Sequence, residues 1–376
     1  MGCVSRKFLD DVHVNGEKIN IIGRCNEMLK KLSLLTTILL LSALLVACGN
    51  AVDGKKGNNS SSESDVIEIV WYPNESGEDM KSSRDEIGAL IEEETGKKVE
   101  HHLTTDYAIA IETLVNNNAS LAFMGPIGYI EAKEGNEAIE PLVVPSGPSG
   151  TLDDAIYYSW LSVNIDEQDD FKENGEFSLD TIAGKKMSFV SNSSTSGFVV
   201  PYSTIVDYFS EQEEYADLTA DNLMEGGPFF EQVLFGNSHQ GSAVNLLQNK
   251  VDVAAFCDTC VESYVDIVEG EPNEIGTVYK VKDNATEPFN TVQGEEFILM
   301  NSTPVLNSPF VANTDVLGEE DFEKLQELFT SDEVANNEKI FVPEDAEESA
   351  LFYKSADEKF IAVEDEWFNP IRELSK

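Results

Sequence analysis

Residues 190 to 201 read VSNSSTSGFVVP: five hydroxyl side chains and one glycine between a strand-like run, KKMSFV, and a helix-like run, FVVPYSTIVDYF. A strand that feeds a helix through such a corner sets several main-chain N–H groups at a helix N-terminus, where they lack intrahelical acceptors. Pro201 fits only the first turn of that helix, because deeper inside it would clash and remove a bond. Ser194, Thr195, Ser196 and Gly197 therefore stand at the helix mouth. The aligned peptide dipoles there act as roughly half a positive charge, and the outward N–H groups make an anion site without a cation. Small side chains let an oxyanion approach the backbone, and hydroxyls add donors. A plain capping role needs one hydroxyl, which leaves the others unaccounted for. The corner suits a tetrahedral oxyanion.

Other chemistry is poorly supported. Cys257 and Cys260 form FCDTCV, a C-x-x-C that elsewhere is redox-active or half of a zinc site. The sequence offers no second half, and outside the membrane a local disulfide is permitted, so a disulfide or two free thiols is expected. A serine of the corner, His239 and Asp258 supply the residue types of a hydrolytic triad, yet there is no G-x-S-x-G elbow. NIDEQDDFKENGE lacks the glycine that a calcium loop needs at its sixth position, and no G-x-x-x-x-G-K-[ST] phosphate loop is present. The reading is a binding protein with no catalytic residue, metal or cofactor.

The elements that must position the corner alternate. VIEIVWYPN (66 to 74) has strand composition, and EDMKSSRDEIGALIEEETG (78 to 96) is helical, with Gly96 where a C-terminal cap belongs. KKVEHHLTTD reads as a second strand, YAIAIETLVNN as a second helix, and SLAFMGP as a short buried strand. The rhythm resumes beyond Asp180 with TIAGKKMSFVS, GFVVPYSTIVDYF, FFEQVLFGNSHQGSAVNLLQNK and VDVAAF. Such alternation predicts an α/β fold with parallel sheets covered by helices. YYSWLSVN (157 to 164) is placed to cross from one half to the other, and EEFILMNSTPVL (295 to 306) to return. The final SALFYKSADEKFIAVEDEWFNPIREL reads as one or two amphipathic helices. Two α/β lobes with crossing segments enclose a cleft, and ligands in such sheets sit off the carboxyl ends of strands.

The 376 residues suffice for two domains. MLKKLSLLTTILLLSALLVAC (28 to 48) joins two lysines to a 16-residue apolar run, short of the ~20 residues of a spanning helix; it is a signal peptide. Leu45-Val46-Ala47-Cys48 resembles a bacterial lipobox, in which Cys48 is lipidated. Residues 1 to 27 lie upstream of this signal and 28 to 47 form it, while 48 to 64 are a polar Gly/Ser/Asn tether. The expected lobes are 65 to 158 with 306 to 376, and 159 to 305. The protein is expected to be exported and lipid-anchored to the outer face of a bacterial membrane. With 70 Asp and Glu against 25 Lys and Arg, the formal charge is -45. That excludes nucleic acid as a partner, and local groups must hold any anion, because exposed charges beyond roughly 8 Å are screened.

The residues STSG with Pro201, the segment DYAIAIETLVNNNASLAFMGPIGYI and the stretch GNSHQGSAVNLLQNKVDVAAF together resemble the phosphonate/phosphite/phosphate substrate-binding proteins of ABC importers. The resemblance runs in order over most of residues 66 to 315. It implies a two-lobed periplasmic-binding-protein-like (type II) fold with the ligand cleft between the lobes. It also implies a monomer that captures a small phosphorus oxyanion and works with a permease and an ATPase. By position, Ser194, Thr195 and Ser196 would grip the phosphoryl oxygens, Tyr107 and Tyr129 would close from the other lobe, and His239 would donate an imidazole N–H. A dianion beside His239 is expected to raise its pKa and so to weaken binding as pH climbs past neutrality. Members that bind aminophosphonates carry acids where this chain has Thr259 and Ser308. That departure favours phosphate, phosphite or an alkylphosphonate, although Asp258 is adjacent. A related binding protein for another small solute, or a surface lipoprotein for sensing or adhesion, is the alternative reading.

Overall fold

A computed structural model of the chain describes residues 65–374, apart from 228, 345, 347 and 348, together with the short strands Val12–Val14 and Glu17–Ile19. These two strands pair antiparallel, Val12 opposite Ile19, within the upstream segment. The signal segment, Cys48 and the tether lie outside the described residues. Two units divide the chain, Met1–Ser61 and Ser62–Lys376, and the second carries the fold.

Val66–Trp71 lies one strand in from the edge of a six-stranded sheet, parallel to the edge strand Lys98–Leu103 on one side and to Leu121–Phe123 on the other. Its side chains alternate between faces, as a pleated strand requires. Ile67, Ile69 and Trp71 pack with Ile87 and Ile91 of the helix Lys81–Thr95, whereas Val70 packs with Ala110 and Leu114 of the helix Tyr107–Val115. Gly96 ends the first of these helices with φ 70°, a left-handed cap that glycine adopts without strain. Asp106 opens the second by accepting from the N–H groups of Ala108 and Ile109, which fixes Tyr107 at its first position.

The second sheet has seven strands in the order Gln232–Phe235, Lys186–Phe189, Val253–Cys257, Ile156–Asn164, Glu296–Leu306, Val278–Val281, Val265–Glu269. Only the first three run parallel. Ile156–Asn164 and Glu296–Leu306 lie antiparallel, from Phe297 opposite Asn164 to Leu306 opposite Ile156. Both sheets are therefore mixed, unlike the purely parallel expectation. The two long strands do not themselves cross between the lobes either. They pair with each other inside the second sheet because each buries its side chains there, and the crossings fall in residues 146–155 and 307–309.

Beyond the return, Phe310–Asn313 pairs antiparallel with both Leu121–Phe123 and Ile139–Pro145 of the first sheet. The last segment departs from its helical expectation. Phe352–Lys354 and Phe360–Ala362 are strands, the latter paired with residues 143–145, and helix is confined to Asn369–Leu374 after a short turn of 3-10 helix at Asp365–Phe368. Aromatic packing decides this: Phe360 sits 4.8 Å from Phe341, 4.9 Å from Phe352 and 5.7 Å from Phe310, ring centre to ring centre. No helix among the described residues is long and apolar enough to cross a membrane.

Candidate functional site

The strand Lys186–Phe189 leads through the hydroxyl-rich corner into a wide π-type turn, Thr195–Val199, and then the helix Val200–Phe209, with Pro201 in its first turn. Ser194 caps the turn. Its Oγ accepts the Gly197 N–H at 3.1 Å, its carbonyl accepts from Phe198 and Val199, and its own N–H goes to the Ser191 carbonyl at 3.0 Å. The N–H groups of Thr195 and Ser196 have no acceptor among the described residues. Gly197 is required by close approach: a Cβ there would lie 2.3 Å from Val190 Cγ2 and 2.7 Å from Ser194 Oγ. Ser196 Oγ is buried with no partner.

His239 opens the helix His239–Leu247, which Ser238 caps. Its Nδ1 accepts the main-chain N–H of Cys257 at 2.9 Å, which places the ring proton on Nε2. That Nε2 lies 3.3 Å from Ser194 Oγ. Burial pushes the imidazole down to about 3, so the ring is a neutral donor at physiological pH. This corrects the expected titration of His239: its second nitrogen is already committed to a backbone donor. Ser194 Oγ, receiving N–H groups from Gly197 and His239, is left with its own proton as a donor.

Tyr107 faces this corner from the first lobe. Its hydroxyl accepts from Asn74 Nδ2 at 2.7 Å, and its ring lies 4.1 Å from that of Tyr72. Asn74 also accepts the His239 N–H through Oδ1 at 3.0 Å, and its carbonyl accepts from Gln240 Nε2 at 3.2 Å. Since a main-chain N–H can only donate, the orientation of the Asn74 amide is fixed. Tyr157 of the second lobe completes the wall. Burial raises the phenols of Tyr72, Tyr107 and Tyr157 above the ordinary tyrosine range, so all three are neutral hydroxyls. Tyr72 Oη is buried without a partner, and Gly128 admits it: a Cβ at that glycine would stand 1.8 Å away.

These groups line one cleft of about 370 Å³ between the two sheets. It gathers Tyr107, Ser194, Thr195, Ser196, His239, Thr259 and Ser308 from the sequence reading, and no Lys or Arg is among its described lining residues. Tyr129 is elsewhere. In the helix Pro126–Gly135 it turns away from the cleft, packs on Phe368 at 4.8 Å and donates its hydroxyl to Asp365. The Thr195 hydroxyl accepts the Ile127 N–H at 2.9 Å, so it joins the lobes. Its own proton remains a donor. Residues that sequence reasoning missed are Tyr72, Asn74, Glu75 and Tyr157. The available signal for three of them was a polar run, YPNES, just past a buried strand's carboxyl end.

Five carboxyl residues also line the cleft, Glu75, Asp258, Glu262, Glu344 and Glu358, and burial raises Glu75 to about 8 and Asp258 to about 7. Asp258 Oδ1 accepts the Tyr158 N–H at 2.9 Å. Cys257 and Cys260 are joined by a disulfide. Both sulfurs lie close to the His239 ring, but bonded to each other they are not a thiolate pair for a metal.

A family model described as "ABC transporter, phosphonate, periplasmic substrate-binding protein" matches residues 69–368. The phosphate-import protein PhnD of Mycolicibacterium smegmatis is 27% identical over 291 residues, covering 77% of this chain and 79% of that protein. A binding protein component of an ABC phosphonate transporter from Pseudomonas aeruginosa superposes with TM-score 0.58 at 20% identity, over 83% of this chain and 86% of its own. PhnD1 from Prochlorococcus marinus, in complex with methylphosphonate, does so with TM-score 0.57 at 15% identity, over 83% and 97%. The cleft, the Ser194 corner and both sheets, apart from the first three residues of the strand Val66–Trp71, fall inside the matched span. The chain therefore belongs to the periplasmic phosphonate substrate-binding family of ABC transporters, exported transport proteins and not enzymes.

Proposed function

We propose that the cleft captures a small phosphorus oxyanion, phosphate, phosphite or an alkylphosphonate, and delivers it to a membrane permease while the protein, acting as a monomer, is anchored through lipidated Cys48. The observation that carries this reading is the set of donors without acceptors around one cleft that has no lining cation: the N–H groups of Thr195 and Ser196, Ser196 Oγ and Tyr72 Oη. With the protons of Ser194 and Tyr107 they make about six. At about 1.5 to 3 kcal/mol for each bond to a charged group, six give roughly 9 kcal/mol or more before ordering costs, against about 8 for a micromolar dissociation constant. The names of the mycobacterial relative and of the methylphosphonate complex support the same ligand class. The engagement of Asp258 Oδ1 by the Tyr158 N–H, with Thr259 and Ser308 beside it in the cleft wall, favours a guest without an amine.

A thermal-shift screen of phosphate, phosphite, methylphosphonate and 2-aminoethylphosphonate tests it. A ligand at 100 times its dissociation constant stabilises by about 2.7 kcal/mol, and the first three compounds are expected to include the largest shift. A shift confined to the amine-bearing compound overturns the ligand class; no shift with any of them overturns the reading as a whole. Radiolabelling with palmitate, lost on Cys48→Ser, tests the anchor.

A further inference from the structure

Glu75 ends the short turn Pro73–Glu75 that follows the strand Val66–Trp71 of the first sheet. It lines the cleft, and its Oε2 is sealed from solvent with no hydrogen-bond partner. An ionised carboxylate in that setting would carry a desolvation cost that Asn74 and Arg84 offset only in part, and it would repel a guest anion. The nearest cation does not neutralise it directly, because the Arg84 guanidinium donates to the carbonyls of Glu75 and Gly77.

We propose that Glu75 is a specificity residue of the cleft, a carboxylic acid whose Oε2–H donates to the bound phosphorus oxyanion, so that capture requires a proton held by the protein. This rests on the functional reading above and deepens it. The groups that face Glu75 fit an acid rather than a carboxylate. Tyr72 at the strand end, Tyr107 at the mouth of its helix and Tyr157 from the second lobe are all neutral phenols in electrostatic contact with it. Arg84, from the helix Lys81–Thr95, faces it from behind, with Glu78, Asp79 and Asp85 around that arginine. Asp258 faces Tyr157 from the second lobe. Burial raises the Glu75 carboxyl to about 8 before any guest arrives, with Asn74 and Arg84 pulling the other way. A dianion alongside pushes it higher still. An acid O–H with no acceptor in the protein gains one from the guest, which makes the contribution specific to the bound state.

Isothermal calorimetry of the full-length chain with methylphosphonate and with phosphate, from pH 6 to 9.5, compares wild type with Glu75→Gln and Glu75→Ala. The glutamine keeps an N–H donor and cannot titrate. Any titration of the guest itself is common to all three proteins. Expected is a wild-type affinity that falls about tenfold per pH unit above about 8 relative to E75Q, with E75Q within about threefold of wild type at pH 6 and E75A weaker than both. At pH 9, paired buffers of different ionisation enthalpy should show wild type taking up about one proton more per ligand than E75Q. If wild type and E75Q bind with the same pH profile and the same proton uptake, the role of Glu75 is overturned while the functional reading stands. If no phosphorus compound binds wild type, both fall. Should E75Q fail to fold, the wild-type uptake at pH 9 decides between them, with Glu75→Asp as the second variant: no uptake overturns the proposal.

Discussion

Asn74 offers the sharpest test, because Asn74→Asp changes one atom and reverses a hydrogen bond. In the native chain Oδ1 accepts the His239 N–H and Nδ2 donates to the Tyr107 hydroxyl, leaving the phenol proton free for a guest. A carboxylate keeps the first bond but has no proton for the second. It would instead accept the phenol proton, removing a donor worth about 1.5 to 3 kcal/mol to a charged ligand. It also adds a negative charge to a cleft wall; near a protein surface a unit pair at 4 Å amounts to about 4 kcal/mol, and burial keeps salt from screening it. The sum, more than about 5 kcal/mol, corresponds to a loss of at least a thousandfold in affinity. Asn74→Ala, which removes the bonds without adding charge, should lose only about 10- to 100-fold. Calorimetry with methylphosphonate at pH 7.5 measures both, with thermal unfolding as the control for folding. The aspartate variant should regain affinity as pH falls and its carboxyl protonates. Binding by N74D within tenfold of wild type would refute the assignment of Tyr107 as a donor and, with it, the orientation of the whole wall.

Three further outcomes follow from the same geometry. Ser196→Ala should leave unfolding free energy within about 1 kcal/mol, since the buried hydroxyl has no partner to lose, yet weaken ligand binding about tenfold or more by calorimetry; equal affinity would remove Ser196 from the site. Tyr129→Phe should do the reverse, lowering stability by about 1 kcal/mol through the lost bond to Asp365 while leaving affinity within twofold. For His239, nitrogen NMR should report the neutral Nε2–H tautomer from pH 8 down to pH 4, and a midpoint near 6.5 would contradict the commitment of Nδ1 to Cys257. Because the folded pKa is depressed to about 3, the unfolded chain binds the proton first. The His239 contribution to stability is thus present above about 6.5 and declines by a little over 1 kcal/mol per unit as pH falls towards 3.

The corner of Ser194 to Gly197 was legible because its signal is local: hydroxyls, a glycine and a proline at fixed offsets describe a helix mouth without reference to anything distant. Asn74 and Glu75 were not, since polar residues after a strand read as an ordinary turn. What gives Asn74 its role is a partner 165 residues away. Tyr129 misled for a related reason. Its place on a helix was readable, but the choice between facing the cleft and facing Phe368 is made by the C-terminal segment, whose own form depends on packing Phe352 and Phe360 against the first sheet. Likewise the antiparallel pairing of Ile156–Asn164 with Glu296–Leu306 joins segments more than a hundred residues apart, and neither run alone specifies it.

Capture and closure draw on the same residues, which bears on how so acidic a chain releases and retains an anion. The lobes are joined by Ile127 N–H to Thr195 Oγ1, by His239 N–H and Gln240 Nε2 to Asn74, by Tyr264 to Asp79 and by the Tyr202 hydroxyl to the Leu374 carbonyl. Five such bonds contribute about 2.5 to 7.5 kcal/mol in total at ordinary net values. Against them, closing the cleft without a guest leaves Tyr72 Oη, Glu75 Oε2 and Ser196 Oγ sealed and unpaired, at about 1 to 3 kcal/mol each, or roughly 3 to 9. The two sums nearly cancel. An oxyanion that supplies acceptors to those three groups removes the opposing term and leaves the interlobe bonds in place, so its differential affinity for the closed form is what shifts the population. Cations in the wall would hold the anion in either form and weaken that coupling; uncharged donors that are satisfied only by a guest make closure conditional on the guest.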